Sequence, residues 1–195
     1  MYLSGQSTEP LHPNYFTQSF QEAAKWFRVA AEKDHARAQV ALGRLYRDGT
    51  GVIQDGQQAV YWFQKAADQG YYQARLALGD IYAYGKVVPQ DFVQAAKWYK
   101  TAAEHNSSTG QASLGLLYYL GNGVPKDDVQ AYMWLNLAIA HYLPTDDIEK
   151  KFLEDITSIR SEIAARLGAD QLVKAQRLSR DWKPIEEKPM SGKRP

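Results

Sequence analysis

Two histidines and three acidic residues recur at equivalent places in the sequence and are its first candidates for chemistry. His105 and His141 lie 36 residues apart and could together bind a metal ion. Packed helices, however, lie about 8–10 Å apart, which argues against one metal ion bound by both histidines. A cation near a helix C-terminus is also favourable in itself, so a histidine at this position does not require a metal. Glu32, Asp68 and Glu104 keep the same interval, which is more typical of a structural position than of a catalytic pair. We therefore expect no metal site and no catalytic residues.

The common catalytic signatures are missing from the sequence. It contains no Gly-rich phosphate loop, no Gly-x-Ser-x-Gly and no His-Glu-x-x-His. It also contains no cysteine, so cysteine usage says nothing about the redox compartment. We predict that the protein is not an enzyme and that it needs no cofactor.

The elements that carry these residues are organised as a repeat. Tryptophans lie at positions 26, 62, 98 and 134, always 36 residues apart. A period of this length is typical of stacked helical units that cannot bury their apolar faces alone. The sequence therefore predicts an all-α solenoid of 36-residue helix-turn-helix repeats. The repeated segments are AAKWFRVAAEKD from Ala23, AVYWFQKAADQG from Ala59, AAKWYKTAAEHN from Ala95 and AYMWLNLAIAHY from Ala131.

Each repeat is predicted to hold two helices with recognisable ends. A Ser or Asp precedes each first helix and is followed three residues later by Glu or Gln, as in a capping box. Residues that tolerate a left-handed backbone follow each first helix, and glycines follow each second helix. The predicted N-caps are Ser19, Asp55, Asp91 and Asp127, and the predicted terminating residues are Asp34, Gly70 and Asn106, then Gly49, Gly85 and Gly121.

The tryptophans are predicted to form a ladder in the core between repeats. A buried Trp removes about 150–250 Å² from water. Gly43, Gly79 and Gly115 are expected to let helix backbones approach closely. In the loops, Gly51 and Gly123 have Val87 as their counterpart, so the loop between the second and third repeats should take a different backbone path, since valine resists positive φ.

We divide the chain into four parts. Residues 1–18 form an N-terminal segment that resembles the end of a preceding repeat, and residues 19–141 form three complete repeats and the first helix of a fourth. Residues 142–183 are predicted to form two helices that cap the array, and 184–195 a disordered tail.

The two capping helices are predicted from their own signals. Thr145 is expected to cap the first of them, and Gly168 to end it. The predicted apolar faces are Ile148, Phe152, Ile156, Ile159 and Ile163 on the first helix and Leu172, Ala175, Leu178 and Trp182 on the second.

Residues 19–141 resemble a known family. The run A-x-x-W-[FY]-x-x-A-A-x-x-G, followed by A-x-x-x-L-G-x-x-Y-x-x-G-x-G-V-x-x-D, is similar to the Sel-one-like repeat (SLR) family, relatives of tetratricopeptide repeats. This resemblance implies a right-handed superhelix of paired helices, a bacterial origin and a role as an adaptor for other proteins. Some secreted members carry a cysteine pair in each unit, which this chain lacks.

The same resemblance implies a candidate site, because the first helices of tetratricopeptide-like superhelices line the concave side. Two rows of residues on these helices are expected to face the groove. They could be a solvated face whose cations pair with Glu32 and Glu104, or a groove for an extended peptide or partner helix that carries acidic groups. The rows are Lys25, Tyr61, Lys97 and Met133, and Arg28, Gln64, Lys100 and Asn136.

Composition and resemblance together leave three functional hypotheses. The first is a non-enzymatic protein-protein interaction scaffold. The others, drawn from the resemblance, are a cell-envelope protein involved in peptidoglycan or secretion and a β-lactamase-like hydrolase. The formal net charge of +1 argues against nucleic-acid binding. No stretch of the sequence is apolar enough to span a membrane. No signal peptide is visible, which favours the cytoplasm for the chain as given, or the periplasm if its N-terminus is truncated.

Overall fold

A computed structural model describes residues 13–186, with side chains from residue 19 onward. These residues form nine α-helices and no strand, which confirms the all-α repeat architecture. Most of the predicted N-terminal segment, and residues 187–195 of the predicted tail, lie outside the described residues. The helices are α1 (Pro13–Glu32), α2 (Ala36–Asp48), α3 (Gly56–Asp68), α4 (Tyr72–Tyr84), α5 (Phe92–Glu104), α6 (Ser108–Leu120), α7 (Asp128–His141), α8 (Asp147–Arg166) and α9 (Ala169–Asp181).

Aspartates cap α3, α5 and α7 as predicted. A carboxylate oxygen of Asp55 accepts hydrogen bonds from the N–H groups of Gln57 and Gln58 at 2.9 and 3.0 Å. Asp91 and Asp127 make the same pair of hydrogen bonds. The N–H of each aspartate donates to a tyrosine carbonyl of the preceding helix, which ties one helix to the next.

The predicted cap at Ser19 is wrong. Helix α1 begins at Pro13, so Ser19 lies inside it. Proline is well suited to the first position of a helix because the N–H it lacks would have no partner there. The first helix is therefore longer than its counterparts in later repeats.

The predicted helix ends are confirmed. Gly49, Gly85 and Gly121 adopt φ of 69, 63 and 75° after α2, α4 and α6. Asp34 and Asn106 adopt φ of 60 and 64° at the equivalent turns after α1 and α5. Each of these residues is in the left-handed conformation that ends a helix.

Neighbouring repeats meet where a second helix packs on the next first helix. Three glycines make this approach possible, because a Cβ at each would collide with a large side chain of that helix. A Cβ at Gly43 would lie 2.8 Å from the Phe63 ring, and one at Gly115 would lie 2.9 Å from Leu135. At Gly79 the Cβ would overlap the ring of Tyr99.

The tryptophan ladder is buried only in part. Trp62 and Trp134 are 8 and 6% exposed, and Trp98 is half-buried. Trp26, however, is 69% exposed, so its predicted core position is wrong. Trp62 packs against Ala38 and Leu42 of α2, whereas α1 has no earlier second helix among the described residues.

The loop after α4 differs from its counterparts, as predicted. Gly51 and Gly123 have φ of 70°, whereas Val87 is not at positive φ. The backbone of Val87 instead approaches α3 closely at Gly56, where a Cβ would overlap the carbonyl of Val87.

Helices α8 and α9 both pack against α7. Ile156 and Ile163 of α8 and Ala175 of α9 are fully or almost fully buried there. The predicted ends of α8 need correction, because its cap is Asp146, one residue after Thr145, and it stops at Arg166. Gly168 stands before α9 with φ of −66°.

Candidate functional site

Five residues of the two predicted rows are exposed. They are Lys25 and Arg28 on α1, Tyr61 on α3, and Lys97 and Lys100 on α5. Gln64 of α3 is half-buried, and its side chain donates to Asp68 at 2.6 Å. The first three repeats therefore present these rows to solvent, with cations from two helices on either side of Tyr61.

The fourth repeat does not continue the rows. Met133 is only 6% exposed and packs in a cluster with Leu178 and Trp182, which come from α9 and the segment after it. Asn136 accepts a hydrogen bond from Arg160 of α8 at 3.1 Å. The non-periodic C-terminal helices thus cover the place where the periodicity predicted an open surface.

The exposed cations interact with neighbouring aromatic rings and acids. Arg28 donates a hydrogen bond of 2.5 Å to the hydroxyl of Tyr46 and also lies 5.9 Å from the centre of its ring. Lys97 lies 5.9 Å from the ring centre of Trp98. Lys100 pairs with Glu104 at 3.8 Å, one turn later on α5, as the sequence suggested. An exposed pair at this distance contributes at most about 1 kcal/mol, so Lys100 remains available to a ligand.

Two clefts between consecutive repeats have the same construction. Each contains a cation from one first helix, a tyrosine from the second helix, and the Asp cap and a Gln of the next first helix. Their volumes are about 590 and 510 Å³. The first includes Arg28, Tyr46, Asp55 and Gln58, and the second includes Lys100, Tyr118, Asp127, Gln130 and Trp134.

A partly buried polar pair between α4 and α5 was not found from the sequence. The Tyr99 hydroxyl donates to Asp80 at 2.7 Å. Burial raises the pKa of Asp80, although the Tyr99 hydrogen bond and the charge of Arg47 act in the opposite direction. Burial likewise raises the pKa of Tyr99. The available signal was a Tyr where other repeats have Phe63 or Leu135, combined with an acid next to Gly79.

Asp80 also lines a third cavity, of about 480 Å³, between α2, α4 and the loop after α4. Arg47 and Asp48 lie at its edge and bind each other through two hydrogen bonds of 2.7 and 2.9 Å. The cavity lies apart from the two predicted rows.

The two repeated histidines each contact their own helix. Nδ1 of His105 lies 2.8 Å from the carbonyl of Thr101, and Nδ1 of His141 lies 3.0 Å from that of Leu137. Among residues 13–186 no cluster of three or more His, Asp or Glu side chains is placed to hold a metal ion. Nor does any helix in this range have the length and apolarity needed to cross a membrane.

Comparison with known families divides residues 14–141 into units that correspond to helices of the fold. The model of the Sel1 repeat matches residues 14–35, 36–71, 72–107 and 108–141, more than half of the chain. The chain belongs to the Sel1 repeat family. The last three matches each join a second helix to the following first helix, which is where the three glycine contacts occur.

Solved structures of other Sel1 repeat proteins are similar to this chain. A Sel1 repeat protein from Oxalobacter formigenes is 34% identical with a TM-score of 0.54, and the match covers 66% of this chain and 95% of that one. Cysteine-rich protein B of Helicobacter pylori is 24% identical with a TM-score of 0.51, over 70% of this chain and 96% of that one, and supports the fold alone. A search of the curated proteins found no match.

Sel1 repeat proteins are generally scaffolds for protein-protein interaction and are typically non-catalytic. Membership of the family therefore gives this chain the same general role, with other proteins as its partners.

Proposed function

We propose that this Sel1 repeat protein binds an extended segment or a helix of an acidic partner protein along the face formed by α1, α3 and α5. The observation that carries the proposal is the row of exposed cations, Lys25 and Arg28 on α1 and Lys97 and Lys100 on α5, with Tyr61 between them. Because these side chains come from separate repeats, one ligand can contact all of them only by running across the helices. An extended chain or a long helix meets this condition.

The clefts give the proposed surface depth as well as charge. Arg28 and Lys100 each stand at the edge of a cleft of 500–600 Å³, about the size that holds a small organic group. A tyrosine is part of each cleft, and Trp134 is part of the second. Acidic side chains of the partner would bind the cations, while apolar ones would enter the clefts.

The surface is narrower than the sequence predicted. Met133 is covered by α9, and Asn136 is bound by Arg160, so we leave these two residues out. The proposed site comprises Lys25, Arg28, Tyr61, Gln64, Lys97 and Lys100.

Affinity capture with charge-reversed variants tests the proposal. Immobilised wild-type protein is compared with the double variant Lys97→Glu and Lys100→Glu. The matched control reverses two exposed arginines of α2, Arg37→Glu and Arg44→Glu. We expect that the wild type and the control recover a partner protein that the Lys97→Glu and Lys100→Glu double variant does not recover. Equal recovery by all three proteins would place the interaction elsewhere on the molecule.

A further inference from the structure

The chain places its own C-terminal segment on α5 and α7. Helix α9 packs on α7, where the Ser179 hydroxyl lies 3.5 Å from the carbonyl of Met133. The backbone then becomes extended at Trp182, with φ −66° and ψ 141°. The ring of Trp182 packs edge-on against Trp134, with centres 6.0 Å apart and planes at 74°. An aromatic contact therefore anchors the segment to the fourth repeat.

The segment continues to the end of α5. The N–H of Ile185 donates to the carbonyl of Glu104, the last residue of α5, at 2.7 Å. Carbonyls in the last turn of a helix lack partners within it, so an extended chain can supply the missing donor. Pro184 favours this extended path because proline does not continue a helix. The predicted disordered tail thus begins with residues that bind the repeat array.

This binding leaves most of the segment in solvent. The segment comprises residues 182–186, and all of them except Trp182 are exposed. Ile185 retains 53% of its accessible surface. Trp182 is half-buried. A segment held mainly by one ring and one hydrogen bond can be displaced without disturbing the core of the repeats.

The surface beside the segment has the chemistry proposed for the partner site. Trp134 contacts Trp182 and also belongs to the cleft of about 510 Å³ that includes Lys100. Lys100 lies one turn before Glu104, and Glu186 directly follows the residue that binds Glu104. The segment therefore brings a carboxylate to the end of the helix that carries the exposed lysines.

We infer that residues 182–186 are the resident ligand of a peptide site on α5 and α7, and that a partner segment of the same chemistry binds there in their place. That chemistry is an aromatic residue, then an aliphatic residue in extended backbone, then a carboxylate. The inference rests on the proposed function and adds to it the class of partner and a competition with the protein's own tail.

The full-length chain provides the test. The probe is a fluorescein-labelled synthetic peptide with the sequence of residues 180–190, RDWKPIEEKPM, and its binding is measured by fluorescence anisotropy. The variant Trp182→Ala removes the anchor of the resident segment, and Lys183→Ala is the matched control because Lys183 is exposed. We expect Trp182→Ala to bind the probe at least about tenfold more tightly than the wild type, because the resident segment then leaves the peptide site unoccupied in a larger fraction of the molecules. Lys183→Ala should behave as the wild type.

The probe itself supplies a second control. A peptide with alanine in place of its tryptophan should not bind to the Trp182→Ala protein. Equal affinity of the wild type and Trp182→Ala for the original probe, or no binding by either, would overturn the inference.

Hydrogen exchange provides an independent measurement without the probe. The Ile185 amide should exchange more slowly in the wild type than in Trp182→Ala. Exchange of this amide at the rate of an unstructured peptide in both proteins would contradict the binding of residues 182–186 to α5 and α7. Either negative result leaves the capture test with Lys97 and Lys100 standing, so the two proposals can fail separately.

Discussion

At the scale of single residues, equivalent positions in the repeat have different environments. Trp26 and Trp62 are one repeat apart in the sequence, yet one is 69% exposed and the other 8%. The periodicity predicted both positions correctly as one face of a helix. It could not predict their burial, because burial depends on whether another helix packs against that face.

The tryptophan pair gives a matched test of this explanation. Trp62→Ala should lower the free energy of unfolding by about 3–5 kcal/mol, as expected for a large buried side chain. Trp26→Ala should change it by no more than about 0.5 kcal/mol, because its ring already contacts solvent. Urea unfolding of the two variants checks the difference. Equal losses for both would mean that the face of α1 is covered in solution.

Asp80 contributes a pH-dependent term to stability. Burial raises the pKa of its carboxyl, so ionisation costs more in the folded than in the unfolded chain, and stability falls as pH rises through the folded pKa. Asp80→Asn removes this cost and keeps an oxygen that accepts the Tyr99 hydrogen bond. The variant should therefore be more stable than the wild type at pH 8, with an advantage that shrinks towards pH 4.

Asp48 serves as the opposite control. The hydrogen bonds from Arg47 lower the pKa of Asp48, so its charged form is favoured in the folded chain. Asp48→Asn should reduce stability at neutral pH, and this loss should fade as pH falls. Denaturant unfolding across this pH range separates the two cases, and a loss of stability for Asp80→Asn at pH 8 would contradict our assignment.

At the scale of elements, local signals were sufficient where the determining contacts are local. Asp55 as a helix cap and Gly49 as a helix end depend only on nearby backbone, and both were predicted correctly. Ser19 was predicted as a cap because its repeat position matches Asp55. The residues before it extend the helix back to Pro13, and the first helices of the later repeats have no such extension.

The loop contact at Gly56 shows a compensating exchange between two elements. In the first and third repeats the loop glycines Gly51 and Gly123 approach the backbone of the first helix, at Phe20 and Phe92. In the second repeat the loop residue is Val87, and the glycine stands on the helix instead. Each contact therefore has one residue without a side chain.

This contact predicts that alanine destabilises the protein at Gly56 but not at Gly168, a glycine without such a contact. Gly56→Ala should cost about 1–3 kcal/mol, because its Cβ would overlap the Val87 carbonyl and the helix start must shift. Gly168→Ala is the control, with φ of −66° and no atom within 4 Å of the new methyl group, and should be nearly neutral. Thermal unfolding compares them, and an equally mild effect at Gly56 would show that the loop yields easily.

At the scale of the whole molecule, the repeat period predicted the solenoid but not how it is closed. Met133 and Asn136 continue the rows in sequence and are covered in the structure. Covering them requires α8 and α9, whose placement is a long-range packing outcome that no period encodes. The sequence therefore predicted the exposure of the rows in the first three repeats, but not the covering of Met133 and Asn136 in the fourth.

Truncation tests the role of α8 and α9. A chain ending at Tyr142 loses the helices that bury Tyr132, Met133 and Leu135, and we expect it to aggregate. A chain ending at Glu186 keeps every described contact and should elute and melt as the full-length protein does. Size-exclusion chromatography with light scattering checks both. A soluble, unchanged chain ending at Tyr142 would show that the array needs no cap.

The most direct test of the central claim is titration calorimetry with the captured partner and the variant Lys97→Glu and Lys100→Glu, at about 50 and 300 mM salt. Exposed charges that meet an acidic ligand act over roughly one Debye length, about 10 Å at 0.1 M salt. We predict that the variant binds at least about tenfold more weakly than the wild type at the lower salt, with a flatter salt dependence and an unchanged melting temperature. Wild-type affinity of the variant at the lower salt would contradict the account and remove this face as the site of binding.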